Sequence, residues 1–158
     1  MAIYMLFGDV KGQVTEDKHK GWIELNSFQF GVGRAVSSGA GGQTRESTAP
    51  SISEIVVSKL NDKASPKLYE DSLAGTFDSK VTIEMTQTTK KATETYLKIE
   101  LEACGVSSYS ISSGGDAPME SLSLNFTKIQ YIPSPLDDKG SPKAGDKVGY
   151  DLMALKTI

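Results

Sequence analysis

The chain has 158 residues, of which 38% are hydrophobic and 23% are charged, a composition typical of a folded globular protein rather than a disordered one. The formal net charge of -3 argues against a nucleic acid partner, because phosphate binding requires a surplus of lysine and arginine. No apolar run approaches the ~20 residues that cross a bilayer, so we expect no membrane insertion. A single domain over residues 1–158 is expected.

The N-terminal segment predicts a first strand rather than a secretion signal. Residues 1–9 have no basic leader, and their apolar stretch is shorter than a signal peptide requires. Cys104 is the only cysteine, so no disulfide within the chain supports the fold. We therefore expect a protein made in the cytoplasm that, if it leaves the cell, leaves without a Sec signal.

Alternating apolar and polar residues predict β-strands along most of the chain. In residues 80–87, Val81, Ile83 and Met85 alternate with polar residues, and residues 96–104 follow the same pattern. Shorter strands bounded by turn residues are predicted at 52–60, 106–112 and 150–155. The spacing predicts a mainly β fold: a compact antiparallel β-barrel of two curved sheets, with one short α-helix and an extended loop.

Two longer segments change the phase of this pattern. In residues 22–30, Ile23 and Leu25 are followed by Phe28 and Phe30, and in residues 121–132 the change falls near Thr127. A β-bulge, which lets a long strand coil around a barrel, produces such a one-residue slip. Partial covering of both strand faces by a neighbouring subunit explains the pattern equally well.

One helix of about three turns is predicted after residue 64. Ser65 suits the N-cap, Pro66 suits the first helical position, and Gly75 suits the residue beyond the end. Three large side chains would then share the side that packs on the barrel: Leu68, Tyr69 and Leu73. The loops at 37–51 and 133–147 lack a strand pattern, and the first is either disordered or reaches for another surface.

Residues with catalytic or metal-binding chemistry are scarce. His19 is the only histidine and lies in a polar run that favours a solvated turn, and one histidine with one cysteine cannot form a Cys/His zinc site within one chain. The glycine-rich run 39–42 lacks the spacing of a phosphate-binding loop. For Cys104, packing at a strand end is favoured over a reactive thiol. We expect no enzymatic activity, no cofactor and no metal site.

Eight segments carry a more specific pattern, namely GDVKG (8–12), HKGWIE (19–24), FQFG (28–31), DKASPKL (62–68), VSSYS (106–110), GGD (114–116), ESLSLNF (120–126) and GYDL (149–152). In this order they resemble the haemolysin-coregulated protein (Hcp) family, which forms the inner tube of bacterial type VI secretion systems. The chain departs from the family pattern in the predicted helix, where Asp71-Ser72 follow Glu70 in place of a common Ala-Cys pair, and in the loop 35–50. These departures leave the implied ring intact but bear on cargo preference and on the contacts between subunits.

The resemblance implies a homohexameric ring. Rings would stack into a tube that carries effector proteins in its lumen and is itself secreted, with the spike protein and the sheath of the secretion system as partners. Because the family's corresponding strand borders the lumen, Gln29 and Ser27 are candidate lumen-facing residues. The loop 37–51 is suited to reach an adjacent subunit or the next ring, and the candidate interface residues are Gln43, Thr44, Arg45 and Glu46, together with Trp22 outside the loop.

Two other function classes remain open. A small-molecule-binding β-barrel would need a roomy apolar interior. A secreted effector without enzymatic activity is the other alternative.

Overall fold

The structure is a computed structural model that describes residues 1–39, 45 and 47–158. Its elements are, in chain order, β1 (Ala2–Phe7), a 3-10 turn (Asp17–His19), β2 (Ile23–Leu25), β3 (Ser27–Gln29), β4 (Val32–Gly33), β5 (Ser51–Ile52), β6 (Ile55–Leu60), α1 (Ser65–Ala74), β7 (Ser79–Thr88), β8 (Thr93–Ser112), β9 (Met119–Asn125), β10 (Lys128–Pro133), β11 (Val148–Asp151) and β12 (Lys156–Thr157). The expected mainly β fold with one short helix is confirmed for this part of the chain.

Two antiparallel sheets share one long strand. Sheet 1 has the order β12-β11-β10-β8-β7-β1-β2, and sheet 2 has the order β3-β6-β9-β8. Residues 96–104 and 106–112, predicted as two strands, belong to the single 20-residue strand β8. It bends at Ala103, whose φ of 49° is rare for a residue with a side chain, and its second half pairs with β9 in sheet 2.

Both phase changes in the sequence pattern mark places where the chain passes from one sheet to the other. β2 pairs with β1 in sheet 1, whereas β3 pairs with β6 in sheet 2, and Asn26 lies between them. Likewise β9 belongs to sheet 2 and β10 to sheet 1, with Thr127 near the crossing. Strands that switch sheets do so through a bend or a bulge, and the parity that faces the core changes at both of these corners. The change of sheet accounts for the pattern without a covering subunit.

The space between the sheets is filled by buried hydrophobic side chains. Met5, Ile83 and Leu101 contribute from sheet 1, and Val57 and Leu122 contribute from sheet 2, each with no measurable exposure. Burying a side chain of this size stabilises the fold by about 1.5–3 kcal/mol. This packing leaves sheet 2 with one face toward the core and the other exposed.

The helix packs on β8, but by a narrower side than predicted. Leu68 is fully buried and the Asp71 carboxylate accepts a hydrogen bond of 2.8 Å from the Val106 N–H of β8. Residues three apart share a helix side, so this pair faces the body, and Tyr69 and Leu73 are 50% and 68% exposed. The prediction is therefore wrong for Leu73, whereas the Tyr69 ring has its centroid 5.3 Å from that of Tyr109 on β8 and packs partly against the sheet.

The start of the helix also differs from the prediction. Ser65 is the first helical residue, and Ala64 occupies the N-cap. No side chain caps the first turn; instead the Asp62 carboxylate accepts the Ala64 N–H at 2.9 Å and the Ser65 hydroxyl accepts the Asp62 N–H at 2.9 Å, which closes the turn before the helix. Gly75 follows the end of the helix as predicted, in an extended conformation.

A hairpin arm leaves the body between β3 and β6. β4 pairs with β5, and Val36 forms an isolated bridge with Ser47 further out. We call the described part of this segment, residues 31–39, 45 and 47–53, the arm. It occupies the region predicted as an extended loop.

Candidate functional site

The exposed side of sheet 2 is lined by small uncharged side chains. One row across the four strands consists of serines in register: Ser27, Ser58, Ser121 and Ser110. The next row is also uncharged: Gln29, Val56, Ser123 and Ser108. Because side chains alternate between the two faces of a strand, both rows point away from the core. We call this surface the serine face.

Ser27 and Gln29, the two candidate lumen residues, lie together on the serine face. Both are exposed, and the Ser27 hydroxyl oxygen is 2.5 Å from that of Ser58. Phe28 lies between them in sequence and packs inward, with its ring centroid 5.7 Å from that of Phe30. The expected orientation of Gln29, opposite to the two aromatic rings, is therefore confirmed, and Ser27 shares it.

The serine face changes character at its two ends. At one end Leu60 and Met119 lie opposite each other and are both exposed, so the surface becomes apolar. At the other end the Ser107 hydroxyl donates a hydrogen bond to the Glu54 carboxylate. The two uncharged rows occupy the strip between these ends.

A buried ion pair lies behind sheet 2, beside the start of the helix. Lys59 and Glu120 are both fully buried, and Lys59 Nζ lies 3.3 Å from Glu120 Oε2 and 2.9 Å from Asp62 Oδ1. Glu120 also accepts hydrogen bonds from the Ser65 hydroxyl at 2.6 Å and the Tyr109 hydroxyl at 2.8 Å. Three of the eight motif segments therefore meet in one network, which fastens the helix to the sheet.

The chemistry of this network is structural. A serine–lysine pair can act as nucleophile and base only if the lysine is free to take a proton. Here the Lys59 ammonium is held between two carboxylates, and the Ser65 hydroxyl is buried and already donates to Glu120. Burial and the hydrogen bond to Glu120 raise the pKa of Tyr109 to about 12, so this phenol stays protonated at neutral pH.

The network was missed at the sequence level, although a signal for it existed. Lys59 continues the buried parity of Ile55 and Val57, and Glu120 has the parity of Leu122 and Leu124. Opposite charges on the buried parity of two strands are a signature of a buried pair.

His19 is buried, so the prediction of a solvated turn is wrong. The residue is 1% exposed, with Nδ1 2.5 Å from Glu16 and Nε2 2.6 Å from Glu84 on β7. The rings of Tyr4 and Trp22 both pack against it, each with its centroid 4.7 Å from that of His19. Both ring nitrogens are occupied by carboxylates, which leaves none to face a substrate as a general base.

The cluster around His19 also changes the pKa of Glu16, which precedes the 3-10 turn. Burial of Glu16 would raise the pKa of its carboxyl, but the hydrogen bond and the charge of His19, with backbone N–H donors, outweigh it and lower that pKa. Glu84 is held in addition by the Thr95 hydroxyl at 2.7 Å. The cluster therefore attaches the turn before β2 to sheet 1.

Trp22 and Cys104 both pack against the body. Trp22 is half-buried, edge-on to the His19 ring. Cys104 is fully buried. Burial, and to a smaller extent the charge of Asp71, raises the pKa of its thiol to about 12. The structure therefore favours a packed cysteine over a reactive thiol. Among the residues that the structure describes, no three His, Cys, Asp or Glu side chains are grouped so as to hold a metal ion.

The candidate interface residues of the arm are only partly described. Arg45 is exposed. Gln43, Thr44 and Glu46 lie outside the described residues.

Comparison with known proteins decides the family. Residues 4–132 match the family described as type VI secretion system effector, Hcp. The chain belongs to the Hcp family. The serine face and the two buried networks are thus features of an Hcp domain. No curated protein matches the chain in sequence.

Solved structures agree with this assignment. The chain is similar to a structure titled as that of a type six secretion system protein, with 28% identity, 99% of each chain covered and a TM-score of 0.88. It shares its fold with Hcp1 from Salmonella typhimurium, at 23% identity, 100% coverage of each chain and a TM-score of 0.76. Mutant Hcp1 from E. coli EAEC 042 has the same fold at 17% identity, with 96% and 99% of the chains covered and a TM-score of 0.71.

One further finding bears on location. Across residues 1–39, 45 and 47–158, the structure contains no helix that is both long enough and apolar enough to span a membrane.

Proposed function

We propose that this Hcp protein is the structural subunit of a type VI secretion tube. Six copies form a ring, rings stack into a tube, and the tube carries effector proteins in its lumen and is itself secreted. The spike protein and the sheath are its partners within the machine. The protein resides in the cytoplasm before firing and leaves without a Sec signal. Membership of the Hcp family, with a match over residues 4–132, is the observation that carries this proposal.

The shape of sheet 2 supports a ring with a wide bore. Its outer strands are β3 on one side and the second half of β8 on the other, so sheets of neighbouring copies can meet edge to edge. Six copies of four strands give a wall of 24 strands. At about 4.8 Å per strand, the circumference is about 115 Å and the bore about 37 Å across.

The serine face is the surface that we place toward the bore. In a ring built this way, the row containing Ser27 becomes a belt of hydroxyl groups, with the row of Gln29 beside it. Such a wall forms hydrogen bonds without favouring cargo of either charge, because these rows carry no ionic group. Ser27 and Gln29 are therefore our proposed lumen residues.

The remaining interface assignments are proposals of the same account. Gln43, Thr44, Arg45 and Glu46 are placed at contacts between subunits or rings because the loop 37–51, to which they belong in sequence, is suited to reach an adjacent subunit or the next ring. Trp22 is half-buried against His19, so any contact that it makes with a neighbour uses only its exposed edge.

A small-molecule-binding barrel is disfavoured by packing. Such a protein would need an apolar cavity between the sheets, whereas that space is filled by fully buried side chains such as Ile83 and Leu122. The protein acts as a tube component rather than as an enzyme, in line with the occupied His19 and Ser65 side chains.

The solution mass of the purified protein tests the proposal. Light scattering on a sizing column should give about 100 kDa, six times the 16.9 kDa chain, with ring-shaped particles in negative stain of the same peak. A monomer at all micromolar concentrations would remove the main support for a tube subunit.

A further inference from the structure

The connection between β1 and β2, residues 8–22, links the two sheets, and we call it the His19 loop. Backbone hydrogen bonds between its two halves close it on itself. His19 attaches it to β7 in sheet 1, and the Gln13 side chain accepts the Lys63 N–H, just before the helix, at 2.6 Å. Gln13 and Val14 also line a cleft of about 290 Å³ at the end of β6 in sheet 2. The position of this loop therefore shapes the surface at that end of sheet 2.

The two carboxylates at the His19 ring already act as hydrogen-bond acceptors. Glu84 Oε2 accepts the Thr95 hydroxyl at 2.7 Å and lies 2.6 Å from Nε2 of the ring. Glu16 accepts backbone N–H groups of its own turn and lies 2.5 Å from Nδ1. An ionised carboxylate offers only lone pairs, so each ring nitrogen must supply a hydrogen. The imidazole that fits this site is thus the doubly protonated cation.

The groups on β1 and β2 suit a cation at this position. The Tyr4 ring on β1 is tilted by 31° from the plane of the His19 ring, with the centroids 4.7 Å apart, and an aromatic face attracts a cation at this distance. Burial, followed by the charges of Glu24 on β2 and of Glu16, raises the pKa of Tyr4, so this phenol stays neutral.

Two lysines flank the site, but each has a carboxylate of its own. Lys18 Nζ, next to the histidine in sequence, lies 3.1 Å from Glu94 Oε2 on β8. Lys98 is opposite Glu84 in the register of β7 and β8, yet its Nζ lies 3.0 Å from Glu100 Oε1. The carboxylates at the ring therefore depend on the histidine for their positive partner.

We propose that the His19 loop is a proton-dependent latch, held on sheet 1 while the His19 ring carries two protons and released when the ring loses one. A neutral ring turns a lone pair toward one of the two carboxylates, and that contact becomes repulsive. While the carboxylates are ionised, docking is favoured at low pH and weakens as the pH rises through the titration of the ring. His19 is the only histidine, and histidine is the residue whose charge ordinarily changes between pH 5 and 8. This inference does not depend on the hexameric ring.

Trypsin measures the release of the loop in the full-length protein. Lys18 and Lys20 are exposed cleavage sites within the loop, and cleavage requires the backbone to leave the sheet. The cleavage rate is divided by that of a free peptide of residues 8–22 at the same pH, which corrects for the enzyme. Because one proton is lost on release, the corrected rate should rise between about pH 6 and about pH 8 by up to about tenfold per pH unit.

Two glutamate-to-glutamine variants separate charge from contact. The amide of Glu84→Gln can accept from the cation or donate to the neutral ring, so the loop should stay docked and the pH dependence should disappear. Glu94→Gln is the matched control, because it removes the carboxylate beside Lys18 but leaves both partners of His19, and it should keep the wild-type dependence. His19→Gln should show no pH dependence.

Equal corrected rates at both pH values in the wild type would overturn the inference. So would a pH dependence that Glu84→Gln retains as fully as Glu94→Gln. Light scattering on the same samples separates this test from that of the ring: a monomer that shows the expected pH dependence would support the latch and contradict the proposed function alone.

Discussion

Replacing Lys59 by methionine should destabilise the protein far more than the same change at an exposed lysine would. The side chain is fully buried, and its ammonium neutralises Glu120, whose carboxylate is equally buried. In Lys59→Met the carboxylate keeps only the neutral hydroxyl donors of Ser65 and Tyr109. Removing one member of a buried ion pair typically costs about 3–5 kcal/mol, and we expect a loss of this size in the free energy of unfolding.

The double variant isolates the charge from the packing. Lys59→Met with Glu120→Gln removes the orphaned charge but keeps an oxygen for the two hydroxyl donors, so its cost should be at least about 1 kcal/mol smaller than the sum of the single costs. An exposed pair provides the control: Lys67 and Glu70 are each 71% exposed at 3.7 Å, and Lys67→Met should cost under about 0.5 kcal/mol.

Urea unfolding followed by the fluorescence of Trp22, the only tryptophan, measures these differences. Protein concentration is held fixed, because assembly adds to apparent stability. If Lys59→Met costs no more than Lys67→Met, the assignment of Lys59 and Glu120 as a stabilising buried pair is wrong.

Three further predictions concern substitution or labelling at single positions. The pKa of Tyr109 is about 12 in the folded protein and 10.0 in the unfolded chain, so its contribution to stability is complete below pH 10 and is lost as the pH rises to about 12. The urea midpoint of Tyr109→Phe should therefore fall less at alkaline pH than that of the wild type. An equal fall in both proteins would contradict the raised pKa. Cys104 should react with a thiol reagent only after urea unfolds the protein, and rapid labelling of the native state would show that it is accessible. A Cβ at Gly12 would lie 2.2 Å from the Trp22 carbonyl oxygen, so Gly12→Ala should lower the free energy of unfolding by about 2 kcal/mol or more. A Cβ at Gly33 would meet nothing within 4 Å, so Gly33→Ala should change it by no more than about 0.5 kcal/mol. Equal costs for the two variants would refute the contact at Gly12.

Local pattern was enough to predict the strands but not how they join. Residues 80–87 and 96–104 alternate strictly and lie in β7 and β8 as expected. The phase changes near Asn26 and Thr127 were visible, yet their cause was not, because a change of sheet depends on which strands pair across the fold. The same limit explains the helix: Leu68, Tyr69 and Leu73 have helical spacing, but contact with β8 at Val106 selects the side that is buried.

The candidate site shows the same division between local and distant information. That Gln29 points away from Phe28 follows from strand alternation alone. The serine row does not, since Ser27, Ser58, Ser121 and Ser110 align only through the registers of three strand pairs. His19 was misplaced for a related reason: its partner Glu84 is 65 residues away, and no local pattern indicates that contact.

An electron-microscopy reconstruction of the purified ring tests the central claim most directly. The account predicts six copies around a bore of about 37 Å, walled by 24 strands at about 4.8 Å spacing, with Ser27 and Gln29 facing the opening. A ring whose bore is lined by the outer side of sheet 1, with the serine face on its outside, would contradict the account.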